Sequence, residues 1–399
     1  MLKNSVIKKY ILSSVILFLF FGIQNSFAQN NLAPSEKVYR VAIFAPMYLD
    51  SVFSMKKANL NSLPKFIMPA VEFVQGAEIA FDTLTLNGKH AEAFFYDSKS
   101  YSQPIPWLIK NKKLDNIDLI IGAVKPPDYN ELAQLALQKN IPFISATYPN
   151  DGGIRNNPFL VIQNSTLKAH CEEIFSYILQ KHGTDNIYLI KKKNDNRIDN
   201  FFKAINSLEG RPLLKIKTIM LDSSISSYAL SYLVDTTKPM VIIGASLDET
   251  FSKKLADACY PIQKTNQLTL IGMPNWDGFR SLQKKDAYKD FPIRFTTPHY
   301  DVKNNEFSNF LTEKYFGRYR SKPTDMAYKG FESAYYFTSL LLNFDKDFMQ
   351  HLNENKFTAF HDFNFRPVYN DKNSTVPDYY ENKHLFIMQI LNGEIVREW

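Results

Sequence analysis

Short apolar runs alternate with longer segments of helical period along most of the chain. The first apolar run, VYRVAIFA at residues 38–45, predicts a buried strand, and apolar residues recur at helical spacing over 71–84. The pattern then continues with strands at 91–96, 117–122 and 141–145 and helices at 105–113 and 130–138. Strand and helix in alternation predict a parallel sheet with helices on both faces.

The same alternation starts again after Gln163. It predicts helices at 167–181, 199–208, 224–233 and 249–258 and strands at 186–190, 214–221, 239–243, 267–271 and 293–297. Two helices follow at 307–319 and 326–342, then a polar loop at 370–383 and a hairpin at 384–398 around Asn392-Gly393. We therefore expect two α/β sheets in tandem rather than one sheet of about ten strands.

The first 28 residues have the pattern of a cleavable export signal. Lys3 to Lys9 form a positive region, 13 apolar residues follow at 11–23, and Ser26-Phe27-Ala28 is a small-x-small cleavage site. Thirteen residues are fewer than the roughly 20 that span a bilayer, although an uncleaved anchor is the alternative. The first cysteine is Cys171, so no lipoprotein signal is present. We expect cleavage after Ala28 and a soluble periplasmic protein.

Composition excludes several classes of protein. Hydrophobic residues make up 45% of the 399, which is enough for a large core, and the 14 glycines are too few to favour glycine-rich phosphate loops. The net charge is +7, but three of the lysines belong to the signal, and the other basic residues are spread among acids. Because nucleic-acid binders concentrate their basic residues on one face, no nucleic-acid partner is expected.

Catalytic and metal-binding motifs are absent from the sequence. It contains no GxGxxG after a strand, no GxxxxGK[ST], no GxSxG, no HExxH and no CxxC, and none of its seven histidines form an i, i+4 pair. His299 and His361 flank predicted strands and are interpreted as solvated or core-edge residues. Cys171 and Cys259 are predicted to be buried thiols rather than a disulfide. The expectation is a protein without catalytic residues, metal or cofactor.

Candidate ligand-binding residues follow the predicted strands. Ligands of open parallel sheets bind beyond the carboxyl ends of the strands. The candidates at these ends are Tyr48, Lys125, Ala146, Thr147, Asn194, Ser246, Asn275, Trp276 and Asp277. They suit a small polar ligand, with Tyr48 or Trp276 as an apolar wall. Each of them alone is equally compatible with an ordinary loop residue.

Several segments, in order, resemble one family. They are VAIFAPM with FVQGAEIAFDTL, then LIIGAVKPPDYNELAQLALQKNIPFISATYPND, IYLIKKKND, KPTDMAYKGFESAYYF and LFIMQILNGEI. Together they resemble the type I periplasmic binding protein superfamily, in its leucine/isoleucine/valine-binding branch, over residues 38–398. The resemblance implies an α/β protein of two Rossmann-like, doubly wound lobes joined by a multi-strand hinge.

The resemblance also implies domain boundaries. After the signal at 1–28 and a linker at 29–37, lobe one comprises 38–162 and 299–345. Lobe two comprises 163–298 and 346–399, which includes the terminal hairpin.

In that family the Ser145, Ala146 and Thr147 positions hold the α-amino and α-carboxylate groups of the ligand. The second carboxylate anchor is replaced here by Lys125-Pro126-Pro127, which lacks two N–H donors but offers a positive charge. The acid that receives the ammonium group is either replaced by Asn275 or displaced to Asp277. These departures leave open whether the ligand is an amino acid or a short peptide.

The function implied is that of a non-enzymatic, exported solute-binding protein for uptake or sensing. Its partners would be a small polar ligand and an ABC-type membrane permease or envelope protein, and it would be a monomer or weak dimer. The alternative is a cell-envelope interaction protein that keeps the fold without a small ligand. The substituted anchors favour it, as does the long, apolar connection at 49–69, which is either a structural cover or a lid.

Overall fold

Two seven-stranded sheets form the centres of two lobes in the computed structural model, which describes residues 37–54, 63–207, 210–221, 225–300, 305–371 and 373–398. The strands of the first sheet are β1 (Tyr39–Ala45), β2 (Ala91–Asp97), β3 (Leu119–Gly122), β4 (Phe143–Ser145), β5 (Leu160–Ile162), β11 (Phe365–Val368) and β12 (Tyr379–Asn382). Their order is β11-β12-β5-β4-β3-β1-β2, and only β11 runs antiparallel to its neighbour. The predicted signal, its cleavage site and all but the end of the linker lie outside the described residues.

The second sheet repeats this arrangement. Its strands are β6 (Asn186–Lys192), β7 (Ile216–Leu221), β8 (Met240–Ala245), β9 (Leu268–Ile271), β10 (Ile293–Thr297), β13 (Phe386–Leu391) and β14 (Glu394–Arg397), in the order β14-β13-β10-β9-β8-β6-β7. Strands β6 to β10 are parallel, and the hairpin β13–β14 adds antiparallel strands at the β10 edge. The α/β, two-lobe fold class expected from the sequence is confirmed.

Ten α-helices connect and cover the strands in the described part of the chain. They are α1 (Leu49–Ser54), α2 (Met68–Leu86), α3 (Ile105–Lys110), α4 (Asp128–Lys139), α5 (Leu167–Lys181), α6 (Arg197–Asn206), α7 (Ser227–Leu233), α8 (Glu249–Gln263), α9 (Glu306–Tyr319) and α10 (Asp325–Phe344). Short 3₁₀ helices lie at Lys65–Ile67, Pro274–Gly278, Asp345–Gln350 and Asn355–Phe357. None of the helices described combines the length and the apolar character needed to cross a membrane.

One assignment made from the sequence is wrong. Residues 346–399 were expected in lobe two, but β11 and β12 belong to the first sheet, and only the hairpin β13–β14 joins the second. Strand β12 pairs in parallel with β5 through Tyr380–Val161 and Glu381–Ile162. It lies in the segment interpreted as a polar loop, because a four-residue strand that carries Glu381 and Asn382 has no apolar run to reveal it.

The polypeptide passes between the two sheets three times within the described residues, after β5, after β10 and after β12. The first and third crossings are bonded to each other. Ser165 Oγ donates to the carbonyl of Asn382 at 2.6 Å, and the backbone N–H of Thr166 donates to Oε1 of the buried Glu381 at 2.7 Å. Lys383 pairs with Glu381 in lobe one and with Glu172 in lobe two. These contacts fix where the crossings leave each lobe.

The long connection after β1 is partly described. Residues 55–62, which include the apolar Met55 and Leu60, lie outside the described residues. Ile67 is buried, whereas Leu63 and Phe66 are exposed, and the Phe66 ring contacts Tyr48 edge-on at 5.5 Å. The connection is thus anchored to its lobe at the start of α2.

Both cysteines are buried free thiols within the core of lobe two, as the sequence predicted. Burial is the main cause that raises the pKa of the Cys171 and Cys259 thiols. A thiol of this kind behaves as a small hydrophobic side chain.

Helices α2 and α10 pack at unusually short distance because each carries a glycine at the contact. A Cβ added at Gly330 would lie 1.9 Å from the carbonyl oxygen of Phe73, and one added at Gly76 would lie 1.9 Å from that of Ala327. No side chain fits there, so the backbones meet directly. This contact fixes the position of α10, which carries several residues of the site described below.

We expect Gly330→Ala to destabilise the protein by about 1–3 kcal/mol or more, because the new methyl group forces the helices apart. Gly317→Ala in α9 is the matched control, since none of the described residues lies within 4 Å of the Cβ it would add. That variant should gain up to about 1 kcal/mol from helix propensity. Urea unfolding of both variants measures the difference, and equal midpoints would contradict the prediction.

Candidate functional site

Two adjoining cavities lie between the lobes, at the carboxyl ends of the parallel strands. The first has a volume of about 460 Å³ and the second about 400 Å³. They share Asp277, Thr297, His299 and Lys329. Because each cavity takes residues from both lobes, we treat the two together as the cleft.

The 3₁₀ helix Pro274–Gly278, which follows β9, supplies the lobe-two side. Asn275 and Asp277 line the cleft, as their position after the strand predicts. Side chains of a 3₁₀ helix point about 120° apart, so Trp276 between them points into the core. Its indole N–H donates to the carbonyl of Ser246 at 2.9 Å, and its ring fills the space above Gly272. Trp276 is therefore a core residue and not the apolar wall that was expected.

The lobe-one side is formed by the loops after β4 and β5. Tyr148, Pro149 and Asn150 line the second cavity, one to three residues beyond the predicted Thr147. The carbonyl of Thr147 accepts a hydrogen bond at 2.7 Å from Asn164, which also lines this cavity. Thr147 thus lies next to the cleft and helps to fix its wall.

Six other predicted ligand residues do not line either cavity. Ser145, Ala146 and Ser246 are fully buried, and Tyr48, Lys125 and Asn194 lie elsewhere on the lobes. Lys125 is exposed, so it does not supply the positive charge of the cleft. That charge comes from Lys329 on α10 and from Arg197 on α6, which lines the second cavity.

Helix α10 presents a charged face to the first cavity. Asp325, Tyr328, Lys329 and Glu332 line it, at positions i, i+3, i+4 and i+7 of one helical face. Burial lowers the pKa of Lys329, and the carboxylates of Asp325, Asp277 and Glu332 oppose that shift. Burial also raises the pKa of Asp277. Charged groups held in this way are typical of functional sites.

Glu332 also lies between two histidines. Its Oε1 is 3.2 Å from Nδ1 of His361, and its Oε2 is 3.9 Å from Nδ1 of His299. The two imidazole rings are nearly perpendicular, with centroids 5.9 Å apart. His299 lies on the crossing after β10, and His361 precedes β11, so three separate elements contribute to this cluster.

A third histidine, His170 on α5, lines the second cavity and is buried. Its Nδ1 is 2.8 Å from Oγ1 of Thr296. Burial, together with the charge of Lys383, lowers the pKa of His170 to about 3, so the imidazole is neutral at physiological pH.

Most of the charged residues of the cleft are not among the ligand residues that the sequence predicts. His299 and His361 flank predicted strands, a position that by itself indicates only solvated or core-edge residues. Lys329 and Glu332 lie in a segment used only for the resemblance, and their separation from His361 carries no motif. The one usable signal was the position of His299, two residues beyond the end of β10.

Comparisons with solved structures identify the fold. The chain is similar to a putative branched-chain amino acid ABC transporter protein from Rhodospirillum rubrum, with a TM-score of 0.64 and 11% identity over 91% of this chain and 100% of the other. It is also similar to an ABC transporter substrate-binding protein from Desulfitobacterium hafniense in complex with Leu, with a TM-score of 0.54 and 12% identity over 91% and 100% of the chains.

The fold is that of the type I periplasmic binding proteins. In these binding proteins, as here, two α/β lobes enclose a cleft. A leucine binding protein from Thermotoga maritima gives a TM-score of 0.50 and 15% identity over 91% and 98% of the chains. No family model and no curated protein matches the sequence. At identities this low, the likeness establishes the binding-protein fold, and the cleft residues have to be interpreted from their own chemistry.

The buried His170 predicts a pH dependence of stability. The unfolded chain protonates this imidazole below its ordinary pKa of about 6.5, whereas the folded protein resists protonation until about pH 3. The free energy of unfolding should therefore fall as the pH falls from about 6.5, by up to about 1.4 kcal/mol per pH unit for this one proton.

Between pH 6 and pH 4, His170→Asn should reduce the slope of the unfolding free energy against pH by the contribution of about one bound proton, which is about 1.4 kcal/mol per pH unit. Urea unfolding at several pH values measures this slope. Thr296→Val is the control, because it removes the hydrogen bond and keeps the imidazole. It should lower stability and leave the slope as it is. An unchanged slope in His170→Asn would show that the imidazole titrates normally.

Proposed function

We propose that this chain is an exported, non-enzymatic solute-binding protein whose lobes close on a small polar ligand in the cleft. The observation that carries the proposal is that one cleft brings together charges of opposite sign from the two lobes. Asp277 comes from lobe two and Lys329 from lobe one, and both line both cavities. A ligand that contacts both residues stabilises the closed arrangement relative to an open one, which is the basis of hinge closure.

The polar groups of the cleft suit a zwitterionic ligand. The Lys329 ammonium is a donor for a carboxylate, and the partly buried Asp277 is an acceptor for an ammonium group. Asn275 uses its amide N–H to donate to the carbonyl of Leu247 at 2.9 Å, while its Oδ1 is buried and has no hydrogen-bond partner in the described part of the chain. A ligand N–H or O–H directed at this oxygen would satisfy it. The cleft therefore favours an amino acid-like or short peptide-like solute.

The neighbouring structures support this class of ligand. The Desulfitobacterium hafniense protein is in complex with Leu, the Thermotoga maritima protein is a leucine binding protein, and the Rhodospirillum rubrum protein is described as a branched-chain amino acid ABC transporter. The proposed clamp consists of Asn275 and Asp277 in lobe two and Lys329 in lobe one, with Thr147 supporting the lobe-one wall through its bond with Asn164. An ABC-type permease or another envelope protein is the proposed partner, and the predicted signal peptide supports delivery to the periplasm.

A thermal-shift screen of amino acids and short peptides tests the proposal. A ligand present at 100 times its Kd should add about 2.7 kcal/mol to the free energy of unfolding, which raises the midpoint by a few degrees. If no compound in the screen shifts the midpoint, the alternative, an envelope interaction protein without a small ligand, becomes the better explanation.

For a ligand found in this way, we expect Lys329→Met to raise the Kd by about 10- to 100-fold, because a charge-assisted hydrogen bond is lost. Lys253→Met is the matched control, since Lys253 pairs with Asp257 on the surface of α8. Isothermal titration of both variants measures the difference. An equal Kd in the two would place the ligand outside this cleft.

A further inference from the structure

We propose that His299, Glu332 and His361 form a binding site for a divalent transition-metal ion, with Zn²⁺ the best match to their chemistry. One nitrogen of each histidine and one carboxylate oxygen lie within 4.8 Å of one another. This donor set, two imidazoles and one carboxylate, is the one that binds Zn²⁺ with a fourth position left for water or another ligand. The proposal concerns a site that does not depend on the solute proposed above.

The distances suit a site that closes on a metal. In tetrahedral coordination, with bonds of about 2.0–2.2 Å, neighbouring ligand atoms are roughly 3.4 Å apart. Oε1 of Glu332 and Nδ1 of His361 already meet this spacing at 3.2 Å. Nδ1 of His299 approaches the other oxygen, at 3.9 Å from Oε2 of Glu332, so a bidentate carboxylate, or a rotation of Glu332 about its last torsion, would bring both nitrogens to one ion.

Hydrogen bonding in the cluster also indicates a missing partner. Nδ1 of His361 is buried and has no hydrogen-bond partner among the described residues, although Oε1 of Glu332 lies 3.2 Å from it. Buried polar atoms are normally paired, since leaving one unpaired costs about 1–3 kcal/mol. A metal ion held between the rings would use an imidazole lone pair that the protein otherwise leaves unsatisfied.

The surrounding charge favours a cation. The first cavity is lined by three carboxylates, Asp277, Asp325 and Glu332, against a single ammonium group, that of Lys329. A dication would offset this excess of negative charge in a partly enclosed space, where charges are poorly screened. All three proposed ligands line this cavity, so an ion can enter from solvent and its open position faces the space in which a solute would lie.

The site would have a mechanical consequence. Glu332 and His361 belong to lobe one, while His299 lies on the crossing that leaves lobe two after β10. An ion bound to all three ties that crossing to lobe one. It would therefore restrict hinge motion at one of the three crossings, the one after β10.

Metal titration of the untagged, EDTA-treated full chain tests the proposal, with Co²⁺ as the spectroscopic probe and Zn²⁺ as its competitor. We expect one equivalent of Co²⁺ to bind, with the visible absorption of a four- or five-coordinate ion, and Zn²⁺ to displace it. The absence of a stoichiometric site, or equal affinity for Mg²⁺, would overturn the assignment, because Mg²⁺ prefers oxygen ligands.

His361→Gln and Glu332→Gln should each weaken binding at least tenfold. His351→Gln is the matched control, because His351 and Glu354 form a similar histidine–carboxylate pair, 3.0 Å apart, to which the residues that the structure describes add no third ligand. That variant should bind as the wild type does. Binding that survives in both His361→Gln and Glu332→Gln would overturn the proposal.

Circular dichroism of the metal-free variants checks that they fold. If a variant fails to fold, ¹H–¹⁵N spectra of the imidazole groups in the wild-type protein still test the proposal. Zn²⁺ should shift two of the seven histidines, and a different number of shifted rings would contradict the assignment.

Discussion

The buried carboxylate of Glu381 is the contact on which the arrangement of the two lobes depends. It accepts the backbone N–H of Thr166 on the first crossing and pairs with Lys383 on the third. Lys383 extends this network to Glu172 in lobe two. Burial by itself lowers the pKa of Lys383, but the Glu381 and Glu172 carboxylates outweigh it and raise the pKa, so the ammonium stays charged. A charge buried with two partners holds its neighbours in defined positions, because losing one partner leaves the others uncompensated.

The cleft follows from this fixed geometry. The crossing after β10 carries His299 away from the second sheet, and the close contact of α2 with α10 sets the face that bears Lys329 and Glu332. Side chains from the strand ends of both lobes then meet in one space. The site is therefore built by elements that are distant in sequence and are positioned by backbone contacts outside the cleft.

Much of the fold could be predicted from the sequence. Helix α5 has the predicted bounds, and most strands lie within a few residues of theirs, because buried parallel strands are continuous apolar runs that alternate with helical periods. Strand β12 could not be found in this way. Its polar residues Glu381 and Asn382 are buried because they bond to the crossings, and a contact between residues more than 200 positions apart leaves no local pattern.

The sequence by itself determined the two α/β sheets, the order of their parallel strands β1 to β4 and β6 to β10 along the chain, the two buried thiols and the polar strand ends at Asn275 and Asp277. These features depend on local periodicity and on the general geometry of parallel sheets. Only the tertiary structure decided that Trp276 packs in the core, that the cleft cations are Lys329 and Arg197 rather than Lys125, and that His299, Glu332 and His361 meet. Those outcomes depend on the direction in which each side chain of the 3₁₀ helix points and on which elements the crossings bring together. Neither can be inferred from the spacing of residues along the chain.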